Sequence, residues 1–177
     1  VNELYNVASS PHVRSKDTTN RIMLYVLIAL LPATAFGIYI FGVPALILVV
    51  AAIVRCVASE YIFNIITKRK QTIGDLSAVV TGLLLALNVP SSLPVWMVVL
   101  GSIFAIIMVK MLFGGLGQNF MNPALGARCF LLISFAGAMT NFTYDGAATA
   151  TPLAILKSGG SVNTFDMLIG TIPGTIG

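Results

Sequence analysis

Few residues in this chain could do chemistry by themselves. His12 is the only histidine, so a histidine-based metal cluster and a serine or cysteine triad are excluded, and no two carboxylates stand close together as general acid–base work would require. Cys56 and Cys129 lie far apart inside apolar stretches and read as two small buried thiols. Neither a catalytic nor a metal site is expected. What remains is a set of polar residues inside apolar sequence: Arg55, Ser59, Glu60, Asp75, Thr81, Asn88 and Arg128. Unpaired charges at membrane depth cost at least several kcal/mol, so each should pair or line a cavity. Their chemistry is either a proton or cation path or structural pairing between helices. The second feature is Gly114-Gly115-Leu116-Gly117, followed by Asn119 and Asn122. It lacks the Gly-Lys-Ser/Thr ending of a phosphate loop, so its glycines read as close backbone approach. The two amides suit an uncharged planar ligand with imide-type edges, or else an ordinary capped loop before Pro123.

The elements that position these residues are membrane helices. Of 177 residues, 57% are hydrophobic and 9% charged, far from the quarter charged of a soluble domain. Ile22 to Phe41 is an uninterrupted apolar run long enough for the hydrocarbon core. Gly42-Val43-Pro44 predicts a tight reversal, and a second helix from Pro44 to about Ile66 carries Arg55 and Glu60, whose charges cannot face lipid. The run Leu76 to Leu87 is short for a span and reads as a steep helix or half of a discontinuous one. A fourth helix covers Leu93 to Leu112, with Trp96 as an interfacial anchor and Lys110 placed to snorkel. Pro123 starts a fifth, to about Ala138. The fold class is thus an all-α integral membrane protein of about five helices with an extracytoplasmic loop.

The net charge of +4 does not point to nucleic acid, because Arg14, Lys16, Arg21, Lys68, Arg69 and Lys70 flank apolar runs and are not interleaved with aromatics. They act as orientation signals. Together with Lys110 they fall on one side when five helices alternate, against Lys157 on the other, so the N-terminus should be cytoplasmic. Residues 1–21 form a cytoplasmic segment, 22–138 the bundle and 139–177 a loop outside. The chain reads as a piece of a longer protein.

Four stretches carry a family resemblance: Ser10-Pro11-His12, Asp75 to Ala86, Gly114 to Ala124, and Tyr144 to Ala154. They resemble the RnfD and NqrB family, and RnfD most. These are membrane subunits of the Rnf ferredoxin:NAD⁺ oxidoreductase and of the sodium-pumping NADH:quinone oxidoreductase. The resemblance implies two inverted repeats of five helices, of which this chain would hold the first. In that family a flavin transferase joins FMN by a phosphoester to the last Thr of an Asp-x-x-Ser/Thr-Gly-Ala-Thr pattern. Matched here, the pattern gives Asp145 as the acid, Ala150 as the alanine and Thr151 as the acceptor. Ala148 stands where Ser or Thr is usual and Thr149 where Gly is usual, so Thr149 is the alternative acceptor. The family also places noncovalent riboflavin near the Gly-rich element, which would give Asn119 and Asn122 a ligand. The implied function is electron transfer through covalent FMN coupled to movement of Na⁺ or H⁺ in a prokaryotic cell (inner) membrane. Implied partners are the other Rnf subunits, including iron-sulfur and flavin subunits, membrane lipid and the flavin transferase. Alternative readings are a solute channel or transporter without redox cofactor, and a passive scaffold subunit.

Overall fold

The computed structural model describes residues 17–144, 147–149, 152–161 and 163–165. It is a helical bundle followed by a small hairpin. Helix α1 runs Thr19–Ile66, 48 residues, and is broken at Gly42, whose φ of 69° and ψ of −151° leave the helical region. Glycine adopts such angles without steric cost, and Pro44 disfavours helical geometry just before it. A straight helix would hold Thr19 and Asn64 roughly 70 Å apart, yet both line one cavity. The chain therefore reverses at Gly42, and α1 is two packed arms, as the Gly-Val-Pro signal predicts.

Thr18 caps the first arm, its hydroxyl accepting from the Arg21 N–H at 3.4 Å. The second arm ends at Thr67, whose hydroxyl donates to Phe63 O at 2.7 Å. A 3₁₀ turn, Ile73–Asp75, leads into α2, Ser77–Leu87. Asp75 Oδ1 accepts from the Ser77 N–H at 2.8 Å and so caps α2 from two residues upstream. Helix α3, Val95–Ile103, continues without a break into a π-helical segment, Phe104–Met111. Asn122 caps α4, Pro123–Ser134, accepting from the Ala124 and Leu125 N–H groups, with Pro123 in the first turn. That helix stops earlier than the expected Ala138. Phe135, at φ −135° and ψ 48°, interrupts it before a short α5, Ala136–Thr140.

The core is built from small residues. Ala45, Ala52, Ala86, Ala105 and Ala127 are fully buried beside Leu85, Val98 and Leu131. A Cβ on Gly82 would lie 2.8 Å from Ile53 Cα and 2.9 Å from Ala52 O, so α2 rides directly on the second arm's backbone. Close backbone approach of this kind is how helices associate where lipid removes the hydrophobic drive. The outside is apolar: Leu31, Val43, Ile62, Ile66 and Ile133 are all exposed, whereas Glu60, Asn64, Ser77, Ser102 and Lys110 are buried. Water would favour the reverse arrangement, so this distribution supports the membrane reading. Helix α1 is the one helix among the described residues both long and apolar enough to cross, and α2, Val95–Met111 and α4 are shorter apolar helices.

Lys110 and Cys129 also stand elsewhere than expected. Lys110 does not snorkel: the π segment closes with Leu112 N–H bonded to Ile107 O, five residues back. That wider turn shifts the register, and Lys110 falls on the core at 2% exposure. Cys129 is exposed while Cys56 is buried, because α4 turns Ala127 and Leu131 to the core and leaves Cys129 beside Phe130 and Ile133 on an outer apolar recess. The bundle itself is helical, as expected, and the segment after residue 139 has local structure of its own. Strands β1, Phe142–Tyr144, and β2, Ala147–Thr149, pair antiparallel with Phe142 opposite Thr149 and Tyr144 opposite Ala147, and α6 follows at Pro152–Lys157.

Candidate functional site: a buried ion pair between two cavities

Glu60 on the second arm and Lys110 on the π segment meet inside the bundle. Lys110 Nζ donates to Glu60 Oε2 at 2.7 Å, with the two side chains 2% and 0% exposed. Two charges buried together need every remaining lone pair and proton satisfied, or desolvation exceeds their attraction. That condition is met by a run of hydrogen bonds. Lys110 Nζ also donates to Ser77 Oγ, and the Ser77 hydroxyl donates to Asp75 Oδ1. On the other side Thr72 Oγ1 donates to Glu60 Oε1, and Asn64 Nδ2 donates to Thr72 Oγ1 at 3.2 Å. The second arm of α1, the loop after it, the 3₁₀ turn, α2 and the π segment all contribute to one polar strand in an apolar bundle.

This strand joins two cavities. Asn64, Thr72 and Asp75 line the first, of about 400 Å³, together with Arg69, Lys70 and the Gly114-Gly115 backbone. Ser77 and Lys110 line the second, of about 410 Å³, with Thr81, Asn119, Asn122 and Pro123. The N-termini of α2 and α4 both reach the second cavity, and their dipoles add positive potential to that of the Lys110 ammonium. Negative charge developing on a ligand there would be stabilised.

Asn119 and Asn122 do share this cavity, as the two amides require for a common ligand. Part of their capacity is committed. Asn122 Oδ1 caps α4, and Asn119 Nδ2 donates to Met121 O at 2.8 Å. Asn122 Nδ2 and Asn119 Oδ1 are left, one donor and one acceptor, which fits an imide-type edge. The volume lies in the range of small-molecule sites. Asp145, Ala150 and Thr151 lie outside the described residues. The alternative acceptor Thr149 sits in β2, backbone-paired with Phe142.

The other intramembrane polar residues divide. Asn88 Oδ1 accepts from Arg128 Nη1 at 3.0 Å, and Thr81 Oγ1 donates to Ser77 O at 2.8 Å. Arg55 pairs with nothing among the described residues, is exposed on the second arm and lines neither of the two cavities. Sequence reasoning does not single out Lys110, Ser77, Thr72 or Asn64 as site residues. Their joining depends on contacts 33 and 50 residues apart in sequence, and no spacing rule reports those.

The chain is 52% identical to the D subunit of the Na⁺-translocating ferredoxin:NAD⁺ oxidoreductase complex of Acetobacterium woodii, over 96% of this chain and 56% of that protein. It is 39% identical to the D subunit of the proton-translocating ferredoxin:NAD⁺ oxidoreductase complex of Clostridium ljungdahlii, over 98% of this chain and 58% of that protein. It is 42% identical to the D subunit of the ion-translocating oxidoreductase complex of Citrobacter koseri, over 96% of this chain and 52% of that protein. The chain spans about half the length of the curated relatives it matches. A family model described as NQR2, RnfD, RnfE matches residues 6–177, and the chain belongs to that family.

Proposed function

We propose that this chain is the first half of RnfD, the flavin-carrying membrane subunit of an Rnf-type ferredoxin:NAD⁺ oxidoreductase, an enzyme complex that couples electron transfer to movement of Na⁺ or H⁺. The observation that carries the ion-coupling half of this reading is the buried Glu60–Lys110 strand, a run of ionisable and hydroxyl groups inside an apolar bundle that joins two neighbouring cavities, both lined by Leu116. Ionisable groups so placed in a membrane protein mark ion or proton routes. The redox half rests on the resemblance at Asp145, Ala150 and Thr151, with FMN attached at Thr151. Bound flavin supplies the electron chemistry, while this chain's residues attach it, orient it and set the local potential. The test uses the assembled complex in sealed vesicles. Reduced ferredoxin should drive both NAD⁺ reduction and ion uptake, and a complex lacking the subunit should do neither. Solute uptake by this subunit without any redox partner would contradict the reading.

Two further parts of the proposal have their own measurements. In this reading five membrane crossings form the first of two inverted repeats, and the Lys and Arg bias puts the N-terminus in the cytoplasm and residues 139–177 outside. A cysteine introduced at Ser161, an exposed position, should then react with an impermeant thiol probe in intact cells. Reaction only after the membrane is opened would invert the topology. Asn119 and Asn122 form the polar edge of a noncovalent riboflavin site in the second cavity. Asn119→Leu combined with Asn122→Asp keeps the cap oxygen of α4 but changes that edge, and should remove most of the riboflavin released on denaturing the subunit. Unchanged riboflavin would exclude the site. The partners in this reading are the other Rnf subunits, iron-sulfur and flavin subunits among them, with a flavin transferase acting on the outer loop. Arg55 belongs to a surface that those partners, or the remainder of the subunit, must shield, since a lipid-facing Arg at a helix centre costs about 2.5–3.5 kcal/mol even on the mildest scale.

A further inference from the structure

The first cavity holds an unexplained acceptor. Asn64 is 1% exposed, its Nδ2 donates to Thr72, and its Oδ1 is buried with no donor among the described residues. An amide oxygen left so keeps its full desolvation penalty, and Asn64 lines a cavity of about 400 Å³, so a ligand there with an N–H or O–H group that reached this oxygen would recover that cost. The charged lining narrows the choice. Arg69 and Lys70 face one carboxylate, Asp75. Arg69 spends one guanidinium N–H on Met111 O at 3.3 Å, leaving its others for an anion. A bare cation is disfavoured by two neighbouring positive charges, and a simple anion offers nothing to Asn64 Oδ1. A group that joins a phosphate to a hydrogen-donating ammonium satisfies all four side chains at once.

Location supplies the source. The cavity opens where the apolar arms of α1 end, between Thr19 at the start of one and the Lys68–Lys70 loop after the other. Ile65 and Ile66 beside it are exposed, and Met111 and Leu116 are among its apolar lining residues. Basic residues just beyond a membrane helix are the usual contacts of lipid head groups. We propose that this cavity is a phospholipid head-group site selective for phosphoethanolamine. The lipid phosphate lies on Arg69 and Lys70, and the ammonium donates to Asn64 Oδ1 close to the Asp75 carboxylate. Such a lipid would sit against both ends of the polar strand, since Asn64 at one end and Asp75 at the other line this cavity.

The experiment is native mass spectrometry of the full-length subunit in its complex, extracted in detergent and offered phosphatidylethanolamine or phosphatidylcholine with matched chains. The quaternary ammonium of the second has no N–H to give. Wild type should retain the ethanolamine lipid about tenfold better, the worth of one charge-assisted hydrogen bond. Arg69→Gln with Lys70→Gln, both at exposed positions, should weaken both lipids by at least a similar factor. Asn64→Leu should erase the difference between them. Equal retention of the two lipids by wild type would overturn the proposal without reference to any variant, and so would an undiminished preference in Asn64→Leu. Free phosphoethanolamine is the third arm. If it competes as well as the lipid on a molar basis, the natural ligand is a soluble phosphate ester and the lipid assignment is wrong.

Discussion

Lys110→Met in the full-length subunit is expected to cost about 3–5 kcal/mol of stability, because it strands the Glu60 carboxylate at 0% exposure with only the Thr72 hydroxyl left to it. Glu60→Gln should cost a comparable amount by leaving the Lys110 ammonium with Ser77 alone. The two changes are not independent, since the residues touch. The double variant removes both charges and keeps an amide that can still accept from Thr72, so most of the lost stability should return. Ion movement should not. A complex carrying the double variant is expected to assemble and to pass electrons while moving few or no ions per electron, read as the ratio of ion uptake to NAD⁺ reduction in sealed vesicles. If the double variant recovers normal coupling along with its stability, the pair is a structural clamp and the polar strand is not a route.

The second large effect is all or nothing. Thr151→Ala should abolish covalent flavin, seen as loss of in-gel fluorescence from the denatured subunit, while the helices remain inserted. A phosphoester needs a hydroxyl oxygen on the protein, and alanine has none. The neighbours Ala148 and Ala150 are small, as approach by a transferase requires, and Pro152 and Leu153 follow the acceptor as the resemblance implies. Thr149→Ala is the internal control. It should keep its fluorescence, because the backbone of Thr149 is held in β2 opposite Phe142, which opposes its entry into an enzyme's active site. Fluorescence that survives Thr151→Ala and vanishes in Thr149→Ala would move the attachment by two residues. Survival in both would remove it from this segment.

Much of the bundle is legible in the sequence because membrane helices announce themselves by run length and by proline and glycine. The reversal at Gly42, the short α2 ending near Asn88 and the start of α4 at Pro123 all follow from such signals. Where sequence reasoning fails, the deciding interaction is distant. Lys110 resembles an interfacial lysine because it stands near the end of an apolar run. Only a π turn and the presence of Glu60 fifty residues earlier in sequence bring it inside. Cys129 reads as interior because its neighbours are apolar, but in a membrane protein an apolar neighbourhood marks the outside as readily as the core. The hairpin does have a local signal: Asp145-Gly146 after the β-prone run Phe142-Thr143-Tyr144 is a pair favoured in two-residue hairpin turns. A cap before Pro123 is legible as one of the two readings of Asn119 and Asn122, but not that Asn122 caps α4 while keeping a free N–H and lining the second cavity.

The central claim is that this polypeptide carries flavin as part of an ion-moving redox complex, and the intact mass of the denatured full-length subunit tests it most directly. The mass should exceed that of the polypeptide by one FMN less one water, as a phosphoester demands, with fragmentation placing the increment on the peptide that contains Thr151. A denatured subunit whose mass equals the bare polypeptide, taken from a complex that still reduces NAD⁺ with ferredoxin, would contradict the account.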